Sequence, residues 1–307
     1  MIKGWIVYNG ALRIKKVEAL VHRMKQQAES EGIDLTIRTN NSLLPIVYGG
    51  GKLGLLDAEQ PEAPEVAPNA YPDFVLFWDK DIHLANHLEA MGLRLFNSAK
   101  AVEICDDKAL THLHLAKLPI PMPETIIGPF VFRDQQVSDA YLETAIRTLG
   151  EELILKETKG SFGMQVYKVR GKDELRDKMA EMGSRPFLLQ RFIRTSYGRD
   201  IRVNIVGDRI VGAMERSNPD DFRANITLGA NGTPIELTAE QANLALQAHQ
   251  ALGLDFSGVD LLFGEAGNPI LCEINSNVNF LRFEQVTGIN FASLILQHIR
   301  GVLEAGR

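Results

Sequence analysis

The sequence predicts an α/β fold, in part α+β, divided into two or three domains. Three observations carry that reading. At 307 residues the chain is too long for one ordinary α/β core. Its start runs apolar strand, amphipathic helix, apolar strand, the pattern of a β-α-β unit on a parallel sheet. Its last third sets strands in succession, among them a hairpin made by the apolar runs Val259–Phe263 and Ile270–Ile274.

Trp5–Tyr8 is a short buried strand, 14–30 an amphipathic helix and Leu35–Arg38 a second strand. Residues 49–72 are rich in Gly, Pro and acids and read as an exposed connection. Gly49-Gly50-Gly51-Lys52 is no P-loop, because the upstream glycine is missing and Leu53 stands where Ser or Thr must hold Mg²⁺. Phe74–Trp78 is a third strand, His83–Met91 a helix and Leu93–Phe96 a fourth strand. His83 and His87 share a helical face beside Asp79 and Asp81, but no third and fourth metal ligand is placed with them, and such isolated pairs are usually surface residues.

Ser98–Leu118 reads as one helix with Ser98 as N-cap, stopped by Pro119, Pro121 and Pro123, which mark a domain boundary. Glu124–Leu189 is a smaller strand-helix unit, with Leu153–Glu157 and Gln165–Val169 as a hairpin around Lys159–Gly163. Further strands follow at Leu188–Ile193, Arg202–Val206 and Ile210–Met214, with helices at Ala239–Leu252 and Phe291–Glu304.

Composition narrows the function classes. A hydrophobic fraction of 45% and a charged fraction of 23% are ordinary for a soluble enzyme. The net charge of −6 argues against a general nucleic-acid or anionic-membrane surface, so any phosphate site is local. Cys105 and Cys272 lie in apolar segments without CxxC spacing, which predicts reduced thiols and no structural zinc. The start, MIKGWIVYNG, lacks a signal-peptide pattern, and no run of about 18 apolar residues occurs, so a soluble, cytoplasmic protein is expected.

The hairpin carries the chemistry. If it is symmetric about Ala266 and Gly267, Asp260 falls opposite Glu273, with Asn275 two residues along the same face. Opposed carboxylates about 5 Å apart repel unless a cation joins them. Two carboxylates and an amide suit Mg²⁺ or Mn²⁺ together with substrate phosphates. The bland alternative, two acids on a solvated face, leaves that repulsion unrelieved. Gly160-Ser161-Phe162-Gly163 sits between strands, where two glycines permit φ > 0 and bring backbone N–H groups close to a phosphate; a plain hairpin turn is the alternative. Lys156 enters that loop and Lys108 ends the preceding unit, each a point charge suited to phosphate. Gln190 and Arg191 interrupt the apolar strand that leads to Phe192, as a purine edge would require. Asp200, Arg202, Arg216, Arg223 and Asn225 then add an acid, three guanidinium forks and an amide, which suggests polyanionic ligands in a net-acidic protein.

In this order, DIRVNIVGDRIVGAMER, DFRANITLGANG, GVDLLFGEAGNPILCEINSN and TGINFA resemble the ATP-grasp superfamily, and within it the RimK-like glutamate ligases. Lys108, Lys156 and the Gly160–Gly163 loop resemble its central domain. The resemblance implies three domains: an N-terminal α/β domain over 1–107, a central lid over 108–189 and a C-terminal catalytic domain over 190–307. It implies that Lys108 and Lys156 contact the phosphates of ATP under a flap formed by Gly160, Ser161, Phe162 and Gly163. Gln190, Arg191 and Phe192 would line the adenine hinge, Asp200 would meet the ribose and Asn225 would lie near the phosphates. Asp260, Glu273 and Asn275 match the Mg²⁺ ligands, and Arg202, Arg216 and Arg223 the arginines around the transferred phosphoryl group and the substrate carboxylate. The implied reaction joins a carboxylate to an amino-acid amine through an acyl phosphate, releasing ADP and phosphate. It leaves room for a peptide or carrier-protein acceptor and for a homo-oligomer. A small-molecule kinase on the same fold, or a nucleotide-binding module without catalysis, are the alternatives, separated by ATP turnover with and without amino acids.

The chain departs from the family pattern in three places. Arg191 stands in the hinge where an acid is common. Ser276-Asn277-Val278-Asn279-Phe280 replaces a small-residue and Pro-Gly segment, which alters the acceptor pocket. The N-terminal domain matches in outline only, with Trp78-Asp79-Lys80-Asp81 where substrate-facing residues are placed.

Overall fold

The computed structural model describes every residue except 13, 63, 133, 134, 226–228 and 307. The DFRANITLGANG segment therefore lies partly outside the described residues. No helix among those described is long and apolar enough to cross a membrane.

The N-terminal unit opens with β1 (Ile2–Tyr8), α1 (Lys15–Ser30) and β2 (Ile33–Thr39). The apolar stripe of α1 buries Leu20, Val21, Met24 and Ala28, which turns the helix onto the sheet. β3 (Leu43–Tyr48) and β4 (Lys52–Asp57) then pair antiparallel. This corrects the expected exposed connection at its start: Gly50 and Gly51 take φ of 74° and 81° to form a hairpin turn, not a phosphate loop. Lys52 sits over the Tyr48 ring, 4.9 Å from its centroid. β5 (Phe74–Trp78), α2 (Ile82–Ala90) and β6 (Leu95–Phe96) complete a parallel sheet of order β2-β1-β5-β6. Every residue of β5 is buried, as a continuous apolar run covered on both faces should be.

The helix expected over 98–118 divides into α3 (Ala99–Asp106) and α4 (Lys108–Leu115). Asp107 lies between them in an extended conformation and caps α4, accepting from the N–H groups of Ala109 and Leu110. Lys108 thereby becomes the first residue of a helix that points into the next unit, with its own N–H bonded to the Thr158 carbonyl at 2.9 Å.

The middle unit holds β7 (Thr125–Ile127), α5 (Asp139–Leu149), β8 (Glu152–Glu157), β9 (Val166–Arg170), α6 (Gly171–Met182) and β10 (Phe187–Arg191). Its antiparallel sheet runs β7-β10-β8-β9 over a small core of Leu142, Leu149, Leu153, Leu155 and Phe187. β10 continues in this sheet to Arg191, two residues past the boundary expected at 189.

The C-terminal unit contains β11 (Arg199–Val206), β12 (Arg209–Ser217), β13 (Asn231–Ile235), α7 (Ala239–Ala251), β14 (Phe256–Phe263), β15 (Pro269–Asn275), α8 (Leu281–Thr287) and α9 (Phe291–Ala305). Its sheet order is β13-β12-β11-β14-β15. Ile201, Val203, Ile205, Val259 and Leu261 pack with Leu244 and Ala248 of α7, so strand alternation assigns Asp200, Arg202, Asn204 and Asp260 to the opposite face. The outer units share a core in which Trp78 stacks on Phe256 with centroids 5.2 Å apart. Buried Asn97 ties them further, donating to the carbonyls of Phe256 and Ser276 at 3.0 Å.

Candidate functional site

The β14–β15 register places Asp260 directly opposite Glu273, as expected, but by a different route. The turn is centred on Ala266 alone, with the Gly264 N–H donating to the Asn268 carbonyl at 2.7 Å and Ala266 at φ 56°. Leu261 pairs with Leu271, so a bulge leaves Cys272 outside the ladder and restores the residue that the tighter turn removed. Asn275, opposite Gly258, donates to Glu273 at 3.3 Å.

On the same face four buried charges alternate in a line. Arg202 grips Asp260 with Nε and Nη2, Arg216 reaches Asp260 Oδ2 at 3.0 Å, and Arg216 also donates twice to Asp200, at 2.7 and 2.6 Å. Gly258 permits this approach: a Cβ there would stand 2.9 Å from Arg202 Nη1. Burial alone would raise the Asp260 carboxyl, but the two guanidiniums outweigh it and hold it down at about 2. Asp200 shares its single fork with Asp260, and burial leaves its carboxyl raised.

The donor set fits a divalent cation arriving with a phosphate. Three of the roughly four lone-pair positions of Asp260 are taken by guanidinium N–H groups. Glu273 receives only the Asn275 amide and has no ion-pair partner among the described residues. No cluster of three or more His, Cys, Asp or Glu among the described residues is arranged for a metal, so two carboxylates and an amide would need phosphate oxygens to complete the shell. Glu273, Asp260 and Asn275 are the residues that would hold it.

All the candidate residues except Arg202 line one cleft of about 1200 Å³, solvent at its mouth included. Arg202 stands behind Asp260. Lys108 projects from the start of α4; burial lowers its ammonium pKa, while nearby Glu273 opposes that shift. Lys156 is buried, with Nζ 4.0 Å from Cys272 Sγ. In the Gly160–Gly163 loop Phe162 and Gly163 take φ of 61° and 73°. A Cβ on Gly160 would press on Gln165 Oε1 at 2.7 Å, the atom that accepts the Ser161 N–H at 3.1 Å. Arg223 donates to the Gly163 carbonyl at 2.7 Å and to both oxygens of Asp221, so its fork holds the loop, with Asn225 on the same wall.

At the other end, Gln190 Nε2 donates to His112 Nε2 at 2.7 Å and to Thr125 Oγ1 at 2.9 Å. His112 Nδ1 faces the Lys108 carbonyl at 2.8 Å, which fixes a neutral imidazole protonated at Nδ1 and agrees with the lowering of its pKa by burial. The Arg191 guanidinium bonds Glu124 and the carbonyls of Thr148 and Leu149, none of which lines the cleft. Phe192 meets Phe222 edge-on at 6.4 Å, with the Lys168 ammonium over its ring at 5.3 Å.

Among the further wall residues, Cys105, His112 and Cys272 did not emerge as site residues from the sequence, and Lys80 did only as part of the 78–81 segment. Lys80 bonds Asp106 and reaches the Gly160 carbonyl at 3.4 Å. His112 could have been read from its place one helical turn after Lys108. Both thiols are pushed up to about 12 by burial. His87 is half-buried and bonds the Gly54 carbonyl at 2.7 Å, while His83 is exposed.

Residues 105–299 match the family model of the RimK-like ATP-grasp domain. The chain is 33% identical over 270 residues to human N-acetylaspartylglutamate synthase A, covering 85% of this chain and 66% of that protein. It is 34% identical over 249 residues to mouse beta-citrylglutamate synthase B, covering 78% of this chain and 63% of that one. It thus spans slightly less than two thirds of either synthase. Among solved structures, the D-alanine–D-alanine ligase of Bacillus anthracis complexed with ATP superposes with a TM-score of 0.73 at 18% identity, over 100% of both chains.

Proposed function

The chain belongs to the RimK-like ATP-grasp family, and from that premise we propose that it is an ATP- and Mg²⁺-dependent ligase that joins a carboxylate to an amino-acid amine. The observation that carries the proposal is convergence: Lys108 and buried Lys156, a glycine loop and an opposed carboxylate pair from the C-terminal unit face one cleft. Lys108 and Lys156 supply positive charge to the nucleotide phosphates, and the loop of the middle unit, taken here as the lid, covers them. The substrate carboxylate attacks the γ-phosphoryl group, forming an acyl phosphate and releasing ADP. The amine then attacks the acyl carbon, forming the amide as phosphate leaves. Positioning and charge neutralisation suffice for the phosphoryl transfer, so no protein nucleophile is required. Arg216, its fork fixed by Asp200 and Asp260, lends positive charge against the repulsion between that carboxylate and the triphosphate. Mg²⁺, or Mn²⁺ in its place, would neutralise charge on the phosphate oxygens.

The two synthases are named for glutamate conjugates, which makes glutamate the first amine to test. The test is a screen of carboxylate and amino-acid pairs with ATP, read by phosphate release and phosphorus NMR. A ligase makes ADP and phosphate only when both partners are present. Pyrophosphate would redirect the mechanism to an adenylate, phosphorylation of a single acceptor would make the protein a kinase, and no turnover would leave a binding module.

A further inference from the structure

One end of the cleft holds a chain of hydrogen bonds whose direction follows link by link. A carbonyl oxygen only accepts, so His112 Nδ1 carries the proton that meets the Lys108 carbonyl at 2.8 Å. His112 Nε2 is then a bare acceptor, and the Gln190 atom 2.7 Å away must be the amide nitrogen. Thr125 leads to the same answer independently. Its single hydroxyl proton goes to the Pro123 carbonyl at 2.8 Å, so Thr125 Oγ1 accepts the second amide hydrogen of Gln190 at 2.9 Å. Both amide protons of Gln190 are thus engaged within the protein, while its Oε1 accepts no hydrogen bond among the described residues. Gln190 and His112 both line the cleft. Burial lowers the His112 pKa, and the ammonium groups of Lys156 and Lys108 lower it further, so the ring is neutral and the chain keeps this direction at neutral pH.

We propose that His112 and Thr125 are positioning residues that fix the Gln190 amide with its oxygen toward the base, so that the site selects a purine with an amino group at C6. This rests on the ligase reading, in which Gln190 meets the base of ATP, and adds to it two residues and a rule of selection. Adenine presents an N–H donor at that position, whereas guanine and hypoxanthine present a carbonyl oxygen. Against a fixed acceptor the amino group forms a bond, and the carbonyl sets lone pair against lone pair. A freely turning glutamine would not discriminate, because flipping the amide exchanges its oxygen and nitrogen. Here the flip would place Oε1 against the His112 Nε2 lone pair and break both donated bonds at once. The selection therefore depends on two side chains that need not touch the nucleotide: Thr125 lies outside the cleft wall, on β7, and His112 acts through Gln190.

Calorimetry on the full chain with Mg²⁺ tests this by comparing ADP with inosine diphosphate, whose base carries a carbonyl oxygen at C6. The wild type is expected to bind ADP about ten-fold or more tightly, the scale of one bond gained against one buried acceptor left unpaired. His112→Leu and Thr125→Val each remove one fixed acceptor, and each should cut that preference about three-fold or more, with a larger loss in the double variant. Damage to packing would weaken both nucleotides alike, whereas release of the amide weakens ADP and leaves inosine diphosphate bound as before or more tightly. If His112→Leu fails to fold, Thr125→Val decides. Equal affinity of the wild type for the two nucleotides, or a preference that survives undiminished in the folded variants, would overturn the assignment and leave the ligase reading standing. A wild type that binds neither nucleotide would overturn both.

Discussion

Arg216 and Glu273 occupy opposite electrostatic situations on the same sheet face. Arg216 is shared by two carboxylates at 2.6 and 3.0 Å and is buried with them. Lysine keeps the charge but loses the planar fork, so Arg216→Lys should lower kcat by about 10²-fold or more, the scale of one preorganised donor. Nucleotide affinity measured by calorimetry should move much less. A loss of affinity at unchanged kcat would place Arg216 at the ATP site instead. Glu273 faces Asp260 across the ladder without a cationic partner among the described residues. Glu273→Gln should abolish turnover with thermal stability kept, because relief of repulsion offsets the lost ligand. Asp260→Asn should behave otherwise: it leaves two buried guanidiniums short of charge and should cost about 3 kcal/mol or more in denaturant unfolding. Equal stability of the two variants would contradict this asymmetry.

Elements show where the sequence was legible and where it was not. Continuous apolar runs and cap residues located β5, α7 and α9 closely, because burial and capping are local signals. β4 was hidden because its Lys52 and Gly54 break the apolar alternation, and the split at Asp107 because a cap inside a helical pattern resembles a surface acid. The carboxylate pairing followed from the chain, but the bulge at Cys272 that produces it did not, since pattern counting sees only the net register. The candidate side chains converge, yet the committed forks of Arg191, Arg202 and Arg216 depend on partners distant in sequence. One tertiary partnership of α7 sets a pH response. His249 is buried against Ser257 Oγ at 2.7 Å, and burial lowers its pKa to about 4. The unfolded chain then binds the proton first, so this stabilisation is present above about pH 6.5 and is lost as pH falls to about 4, up to ~3 kcal/mol. The stability difference between wild type and His249→Gln, measured by urea unfolding across that window, should shrink by this amount. A difference that stays constant would mean the imidazole is not held neutral.

At the scale of the whole molecule, the three units meet at one loop. Lys80 of the N-terminal unit approaches the Gly160 carbonyl at 3.4 Å, and Arg223 of the C-terminal unit holds the Gly163 carbonyl at 2.7 Å, while the loop belongs to the middle unit. Its left-handed residues Phe162 and Gly163 give it little intrinsic preference for this shape, so these outside donors define it. The two anchors differ in strength. Lys80 has a side chain 39% exposed and gives its better contact to Asp106, whereas Arg223 makes a shorter bond and is itself braced by Asp221. Lys80→Met should therefore loosen the Gly160 end only, by about 1 kcal/mol once screening is discounted, or roughly five-fold in ATP affinity. Arg223→Met should free the Gly163 end and weaken ATP binding about ten-fold or more. Amide exchange over residues 160–166 separates the two: faster in both variants, more so without Arg223, with the central strands β5 and β11 unchanged. If exchange in the loop stays at the wild-type rate in both, the loop is held by its own turn and Gln165, and closure on the nucleotide does not couple the three units.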